Sequence, residues 1–244
     1  MPHRLSHNAI VDRLAADVSR LTFRPPVTHV YNPLVYARDG YDQYTARFGN
    51  SPKEVLFVGM NPGPWGMSQT GVPFGEIETV RQWMGIHTRV SIPDSTHPKR
   101  PVEGIHCRRR EISGKRLWGW ARQRFGTPDV FFSRFFVANY CPLMFVESSG
   151  KNRTPDKLPA VERRALQDAC DKALRDVVTL LKPTFVVGIG RFSAERIAAV
   201  LADKSVTTGR IIHPSPANPK ANKGWNGLIE AELEALGIRL ENGS

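Results

Sequence analysis

The chain has 244 residues, 41% of them hydrophobic and 23% charged, which is enough for one globular domain with a substantial core. Its 34 lysines and arginines exceed its 23 aspartates and glutamates, so the net charge is +11 and a polyanionic partner is indicated: DNA, RNA or an anionic membrane. The three cysteines include no CxxC pair, which excludes a zinc ribbon and a four-cysteine iron–sulfur cluster.

Apolar periodicity predicts alternating strands and helices along the chain. A helix is predicted over residues 10–21, and a Pro-Pro pair marks the end of an N-terminal helical arm, residues 1–26, of a single domain, residues 1–244. Four short β-rich runs predict buried strands, at Val55–Gly59, Phe135–Asn139, 185–188 and 210–213. Helical patterns occupy residues 76–84, 117–125, 161–181, 193–201 and 224–236, and residues 87–115 read as a long polar loop. This alternation predicts an α/β fold whose mostly parallel sheet has helices on both faces.

Polar residues follow three of the predicted strands. Asn61 comes just after the first strand, Asn139 ends the second, and His213 ends the fourth. Ligands of parallel α/β sheets bind at the carboxyl ends of the strands. We therefore expect these three side chains to converge on one cleft.

Two segments at these strand ends have unusual composition. Residues 59–76 read GMNPGPWGMSQTGVPFGE and contain five glycines, which give the loop a rigid path and let a ligand approach the backbone. Residues 213–225 read HPSPANPKANKGW and run from a strand end into a predicted helix. Their mixture of asparagine and lysine suits contacts with phosphate groups.

Together with residues 139–143, NYCPL, these segments closely resemble the single-strand-selective monofunctional uracil-DNA glycosylases, a family of the uracil-DNA glycosylase superfamily. The resemblance implies a three-layer α/β/α sandwich with a central four-stranded, mostly parallel sheet. It also implies a DNA repair enzyme that flips a base into a pocket and hydrolyses its N-glycosidic bond, leaving an abasic site. The expected bases are uracil and oxidised or C5-modified uracils such as 5-hydroxymethyluracil, with no cofactor and no metal.

By motif position, the resemblance implies two catalytic residues. Asn61 would hold the attacking water, and His213 would stabilise negative charge on uracil O2 as the base departs. The chemistry fits a neutral imidazole N–H in a dry pocket, because uracil leaves readily as an anion when its O2 charge is stabilised. The sugar then becomes an oxocarbenium ion, which a positioned water attacks with little help from a base.

The resemblance likewise implies four substrate-binding residues. Asn139 would read N3 and O4 of the base, Phe74 would stack on its ring, and Met60 and Gly63 would line its C5 side. A primary amide offers one donor and one acceptor in a plane, which matches uracil and mismatches cytosine.

The second motif is expected to contact DNA through Ser215, Pro216, Ala217, Asn218, Lys220 and Lys223. Ala217 departs from the family pattern, because a longer basic residue at this position in animal members fills the space left by the flipped base. Trp65 replaces a different aromatic residue and is expected to keep its packing. The departure at Ala217 puts penetration of duplex DNA in doubt.

Other interpretations stay open at this point. A glycosylase of the same fold could act mainly on deaminated purines such as xanthine or hypoxanthine, and a non-catalytic nucleic-acid-binding module would share the basic charge. A metal-dependent nuclease is disfavoured because no strand end carries clustered acidic residues. His97, His106 and Cys107 share one loop, but their spacing fits no standard zinc site.

The expected partner is lesion-containing DNA, single- or double-stranded, bound by a monomer that does not enter a membrane. No apolar stretch has the length of a membrane span, and the first residues lack the apolar run of a signal peptide. We therefore expect a cytoplasmic protein, or a nuclear one in a eukaryotic host.

Overall fold

The computed structural model describes residues 5–240. Within this range the strands are β1 (Val27–Tyr31), β2 (Val55–Gly59), β3 (Phe135–Asn139), β4 (Met144–Glu147), β5 (Asn152–Arg153), β6 (Phe185–Ile189) and β7 (Thr207–Ile211). The α-helices are α1 (His7–Ser19), α2 (Pro33–Tyr36), α3 (Arg38–Phe48), α4 (Met67–Thr70), α5 (Ile112–Phe125), α6 (Pro128–Arg134), α7 (Ala160–Leu181), α8 (Arg191–Val200) and α9 (Trp225–Ala235).

Four strands form the central sheet in the order β3-β2-β6-β7, and every neighbouring pair is parallel. Gly59 at the end of β2 lies opposite Asn139 at the end of β3. Ile189 and Ile211 are opposed in the same way at the ends of β6 and β7. All four carboxyl ends therefore meet at one edge of the sheet, and the predicted α/β fold is confirmed.

Aromatic side chains fill both faces of this sheet. On one face the ring of Phe57 lies 6.4 Å from Trp120 of α5, which in turn contacts Trp225 of α9. On the other face Phe136 lies 5.5 Å from His7 of α1 and 5.0 Å from Tyr44 of α3. Helices thus cover both faces, as the predicted three-layer sandwich requires.

The N-terminal helix is packed into the domain. The apolar side chains of α1, among them Ile10, Val11, Leu14 and Val18, are buried in the same core as the central sheet. Helix α1 lies against α7, whose buried side chains belong to the same core. The segment that the sequence predicts as an arm therefore contributes to the core of the domain.

A second sheet was not predicted from the sequence. Strands β1, β4 and β5 form an antiparallel sheet in which Tyr31 lies opposite Met144 and Phe145 lies opposite Arg153. Its strands are short, and the pairing of β1 with β4 joins segments more than a hundred residues apart. Local periodicity contains no signal for such a contact, although this sheet carries part of the site.

Several predicted boundaries are wrong. The fourth strand is Thr207–Ile211 and not residues 210–213, because its first residues are exposed threonines that an apolar run does not reveal. The helix predicted from residue 117 begins at Ile112. Its first turn is mostly small and polar, so the apolar periodicity did not indicate the true start. Residues 76–84 contain a π-helix, Thr79–Trp83, whose first residue donates its backbone N–H to the Glu76 carboxylate at 2.9 Å.

The helices α2, α3 and α6 were also missed. Tyr41, Tyr44 and Phe48 of α3 are buried, yet the mostly polar residues between them mask the helical period. Among the described residues, no helix is long and apolar enough to cross a membrane.

Candidate active site

A cavity of about 420 Å³ opens at the carboxyl ends of the central strands. Residues of both glycine- or proline-rich motifs line it, together with residues from the second sheet and from the start of α5. They are Met60, Asn61, Pro62, Gly63, Pro64, Met67, Phe74, Glu111, Ser113, Asn139, Asn152, Thr154, His213 and Ser215.

The imidazole of His213 has a defined tautomer. The backbone N–H of Ser215 donates to its Nδ1 at 3.0 Å, so Nδ1 is the unprotonated acceptor and the ring proton lies on Nε2. Burial lowers the pKa of His213 to about 4, so the ring is neutral at physiological pH. His213 can therefore offer a neutral N–H to a ligand in the cavity.

The amide of Asn61 is held by the segment that connects β3 to β4. Its Nδ2 donates to the carbonyl oxygen of Leu143 at 3.0 Å, which leaves Oδ1 as an acceptor on the cavity side of the amide. The backbone pairing of β2 and β3 continues here, since Cys141 N–H donates to the Met60 carbonyl at 2.9 Å. This pairing fixes Asn61 beside the cavity in an orientation suited to holding a water.

Asn139 presents an unsatisfied acceptor. Its Nδ2 contacts Sδ of Met67 at 3.2 Å, whereas its Oδ1 is buried and has no hydrogen-bond partner among residues 5–240. A buried acceptor without a donor costs free energy of about 1–3 kcal/mol. A ligand with an N–H in this plane would recover that cost, and uracil N3–H is such a donor.

The backbone of Phe74 is strained, with a φ of +53° that non-glycine residues rarely adopt. The indole of Trp118 holds it by donating to the Phe74 carbonyl at 3.0 Å. Gly59 admits the ring, because a Cβ at position 59 would lie 2.5 Å from both the Phe74 ring and Oδ1 of Asn139. The Phe74 ring is thereby held 6.1 Å from the ring of His213, centroid to centroid, where it can stack on a planar ligand.

Comparison with known proteins now gives the family. The sequence matches the uracil DNA glycosylase superfamily over residues 46–232. It is 48% identical to the single-strand selective monofunctional uracil-DNA glycosylase of Rattus norvegicus over 93% of this chain and 82% of the relative. The proteins of the same name from Mus musculus and Bos taurus are 47% and 46% identical over 93% of this chain, with 82% and 84% of their own lengths covered.

The chain belongs to the single-strand-selective monofunctional uracil-DNA glycosylases, a family of the uracil-DNA glycosylase superfamily. The crystal structure of wild-type Pedobacter heparinus SMUG2 superposes with a TM-score of 0.65 and 19% identity, covering 93% of this chain and 97% of that one. At this identity the similarity concerns the fold alone. The resemblance read from the two motifs is thus confirmed at the level of the family.

The structure brings together seven of the residues predicted for this glycosylase-family site. Asn61, His213, Met60, Gly63, Phe74, Asn139 and Ser215 all line the one cavity. Their individual roles remain predictions. The other predicted DNA-contacting residues lie outside the cavity, in the surface loop that follows Ser215.

Sequence reasoning assigned no role to seven lining residues: Pro62, Pro64, Met67, Glu111, Ser113, Asn152 and Thr154. Glu111 and Ser113 lay inside the segment predicted as a polar loop, because the start of α5 was placed too late. Asn152 and Thr154 belong to the second sheet or follow it directly. The glutamate immediately before a helix was the one local signal, since its side chain caps α5 by accepting the N–H of Ser113 at 3.3 Å.

The loop after Ser215 is exposed and internally bonded. Pro216, Ala217, Lys220 and Lys223 are exposed, and Asn218 accepts the N–H of Lys220 at 3.2 Å. In this loop the structure has a 3-10 turn, Ala221–Lys223, before α9 begins at Trp225. The positive φ of Gly224, +126°, separates the two.

Arg116 of α5 braces this loop. Its guanidinium donates to the Pro214 carbonyl at 3.0 Å and to Oδ1 of Asn222 at 2.8 Å, and Nδ2 of Asn222 donates to the Pro216 carbonyl at 2.9 Å. The loop is therefore tied on both sides of Ser215. Such a brace holds the loop backbone in place beside the cavity.

Basic side chains also stack on the rim of the cavity. The guanidiniums of Arg109 and Arg100 lie 4.8 and 5.3 Å from the ring of Trp65, which adjoins the cavity-lining Pro64.

Among the described residues, no group of three or more His, Cys, Asp or Glu side chains could hold a metal ion. His97, which shares a loop with His106 and Cys107, is engaged with the Ser148 carbonyl at 3.0 Å.

Proposed function

We propose that this protein removes uracil from DNA by hydrolysing the N-glycosidic bond, leaving an abasic site. The observation that supports this most directly is the tautomer of His213. Because Ser215 N–H occupies Nδ1, a neutral Nε2–H is available to stabilise the charge that develops on uracil O2. The low pKa of the ring keeps that donor uncharged before the reaction begins.

The remaining side chains complete the reaction in the proposed mechanism. Phe74 stacks on the flipped ring, and the free Oδ1 of Asn139 accepts N3–H while its Nδ2 donates to O4. Asn61, fixed by Leu143, holds a water that attacks the sugar after the base has begun to leave. No proton needs to reach the base during bond cleavage, since the departing uracil anion is stabilised at O2. As the water bonds to C1′ it loses a proton, which neutralises the uracil anion.

The finer substrate range is part of the proposal. We infer activity on uracils modified at C5, because the wall assigned to C5 includes Gly63, beside which the Glu111 carboxyl offers a polar partner to a substituent. We also infer that a monomer acts on single- and double-stranded DNA. The exposed lysines of the loop after Ser215 support contact with DNA phosphates.

The decisive experiment follows abasic-site formation on oligonucleotides that each carry one lesion: uracil, 5-hydroxymethyluracil, xanthine or hypoxanthine. We expect uracil release in the presence of EDTA, with strand breakage only after alkali. A preference for the purines would favour the alternative substrate class, and no base release with retained DNA binding would favour a non-catalytic module. Borohydride trapping of a covalent complex would refute simple hydrolysis, since no lysine is among the described residues that line the cavity.

Ala217→Arg is expected to raise the rate on duplex A·U pairs about tenfold and to leave the rate on single strands nearly unchanged. Flipping a base out of a duplex costs a few kcal/mol of stacking and pairing, and an inserted side chain recovers part of that. Alanine extends only one methyl group from the exposed loop. For the parent protein we therefore expect single strands and G·U mismatches to react faster than A·U pairs.

Single-turnover rates on the three substrates test this prediction. Ala165→Arg, which adds the same charge on an exposed position of α7, controls for a general gain in DNA affinity. Equal parental rates on all substrates, together with no duplex response to Ala217→Arg, would contradict the argument.

A further inference from the structure

Glu111 is a carboxyl group inside the cavity that the proposed mechanism does not use. Of the residues that line the cavity, only Glu111 and His213 have ionisable side chains. Burial raises the pKa of Glu111, so its position has an energetic cost that the cap on α5 offsets only in part. A partly buried carboxyl that faces a cavity needs a further explanation.

Glycines of the first motif create the space for this carboxyl. A Cβ at position 63 would lie 2.4 Å from Oε2 of Glu111, and a Cβ at position 66 would lie 2.8 Å from its Cγ. The other oxygen, Oε1, accepts the N–H of Ser113. Oε2 therefore lies directly against the turn at residues 63–66, while Oε1 anchors the side chain to α5.

The positions of the other polar groups indicate which edge of the base this carboxyl faces. With O2 at His213 and N3 and O4 at Asn139, the edge of the ring beyond O4 is C5. Nδ2 of Asn139, the donor for O4, contacts Met67, and Met67 directly follows the turn that contains Gly63. Along this wall Asn139 contacts Met67, Met67 follows Gly66 in the chain, and Glu111 lies against Gly63 and Gly66.

We propose that the Glu111 carboxylate accepts a hydrogen bond from a donor group on C5 of the flipped uracil, and so selects hydroxymethyl over carbonyl substituents. This inference rests on the proposed function. A hydroxymethyl group can donate to a carboxylate, and such charge-assisted bonds are stronger than neutral ones. A formyl group has only an acceptor, which the carboxylate oxygen repels.

Glu111→Gln reverses the polarity of this position with almost no change in shape. Its amide oxygen can keep the cap on Ser113, and its NH₂ then faces Gly63 and the C5 substituent. We expect the ratio of the rate on 5-hydroxymethyluracil to the rate on 5-formyluracil to fall about tenfold or more relative to the parent. Because both enzymes cleave the same pair of bases, differences in leaving-group chemistry cancel in this comparison.

Single-turnover rates on single-stranded oligonucleotides carrying uracil, 5-hydroxymethyluracil or 5-formyluracil measure the effect. Glu76→Gln is the matched control, because Glu76 likewise accepts a backbone N–H at the start of a helix but does not line the cavity, so its ratio should equal the parent's. Glu111→Asp, which keeps the charge and withdraws it by one methylene, should also lower the ratio and serves if the glutamine variant does not fold.

The outcomes separate this inference from the proposed function. An unchanged ratio in a folded Glu111 variant would overturn the inference while uracil release by the parent stands. Loss of uracil release itself in a folded Glu111→Gln protein would also overturn it, by placing Glu111 in the reaction and not in selection. Absence of base release by the parent would instead refute the proposed function.

Discussion

His213→Ala is expected to slow the release of uracil about 10²–10³-fold in single-turnover experiments, while binding to DNA persists. The reason is that the only donor assigned to uracil O2 is lost at the moment when negative charge develops there. Ser215 N–H, which bonds to Nδ1 in the parent, loses its acceptor as well, but it lies on the far side of the ring from the base. His213→Gln should recover part of the rate, because an amide N–H can replace the missing donor.

His106→Ala provides the control, since His106 is exposed and does not line the cavity. DNA affinity is measured with an oligonucleotide that carries no lesion, so that loss of binding and loss of chemistry are separated. Cleavage at the parental rate by His213→Ala would show that the charge on O2 is stabilised by another group.

The protonation of His213 gives the same prediction a second readout. Because burial lowers its pKa to about 4, the imidazole stays neutral above that value, and the chemical step should show no inflection between about pH 6 and pH 8. In the unfolded chain the ring titrates near its ordinary pKa. Between the ordinary histidine pKa and about pH 4, the unfolded chain therefore binds a proton at His213 that the folded protein does not bind. The free energy of unfolding decreases for this reason as the pH falls through that window.

A rate profile with an inflection near the ordinary histidine pKa would contradict this assignment. The free energy of unfolding, measured by denaturant titration, should decrease as the pH is lowered through that window. The decrease should be steeper in the parent than in His213→Ala. Both readouts depend on the neutral tautomer that the Ser215 contact specifies.

Asn139→Asp is expected to lower the rate of uracil release about 10- to 100-fold near neutral pH. An ionised aspartate has two acceptors and no donor, so O4 of the base would face an oxygen instead of an N–H. Each such mismatch in a buried site costs about 1–3 kcal/mol. A protonated aspartate has one donor and one acceptor and can adopt the pattern that cytosine requires.

Cytosine release should therefore rise as the pH falls through the pKa of the new carboxyl, which burial is expected to raise. Asn152→Asp is the matched control, because it places the same charge in the same cavity without altering the group assigned to N3 and O4. We expect it to leave the preference for uracil over cytosine unchanged. A variant at position 139 that treats uracil as the parent does would place base reading elsewhere in the cavity.

The sequence by itself determined the central sheet and the identity of the polar groups at its edge. Short β-rich runs that end at Asn139 or a few residues before Asn61 and His213 are local features, and parallel pairing requires that such strand ends meet. The resemblance of the two motifs to known glycosylases likewise indicated the family.

Only the tertiary structure decided the features that depend on distant segments. The tautomer of His213 follows from one backbone N–H whose direction depends on the loop braced by Arg116. Glu111 enters the cavity because Gly63 and Gly66, some fifty residues earlier in the chain, leave room for it. Strand β1 pairs with β4, which is more than a hundred residues away in the chain, and local periodicity does not indicate such a pairing. Sequence patterns specify elements through short-range sterics and burial, whereas these contacts exist only once the chain has packed.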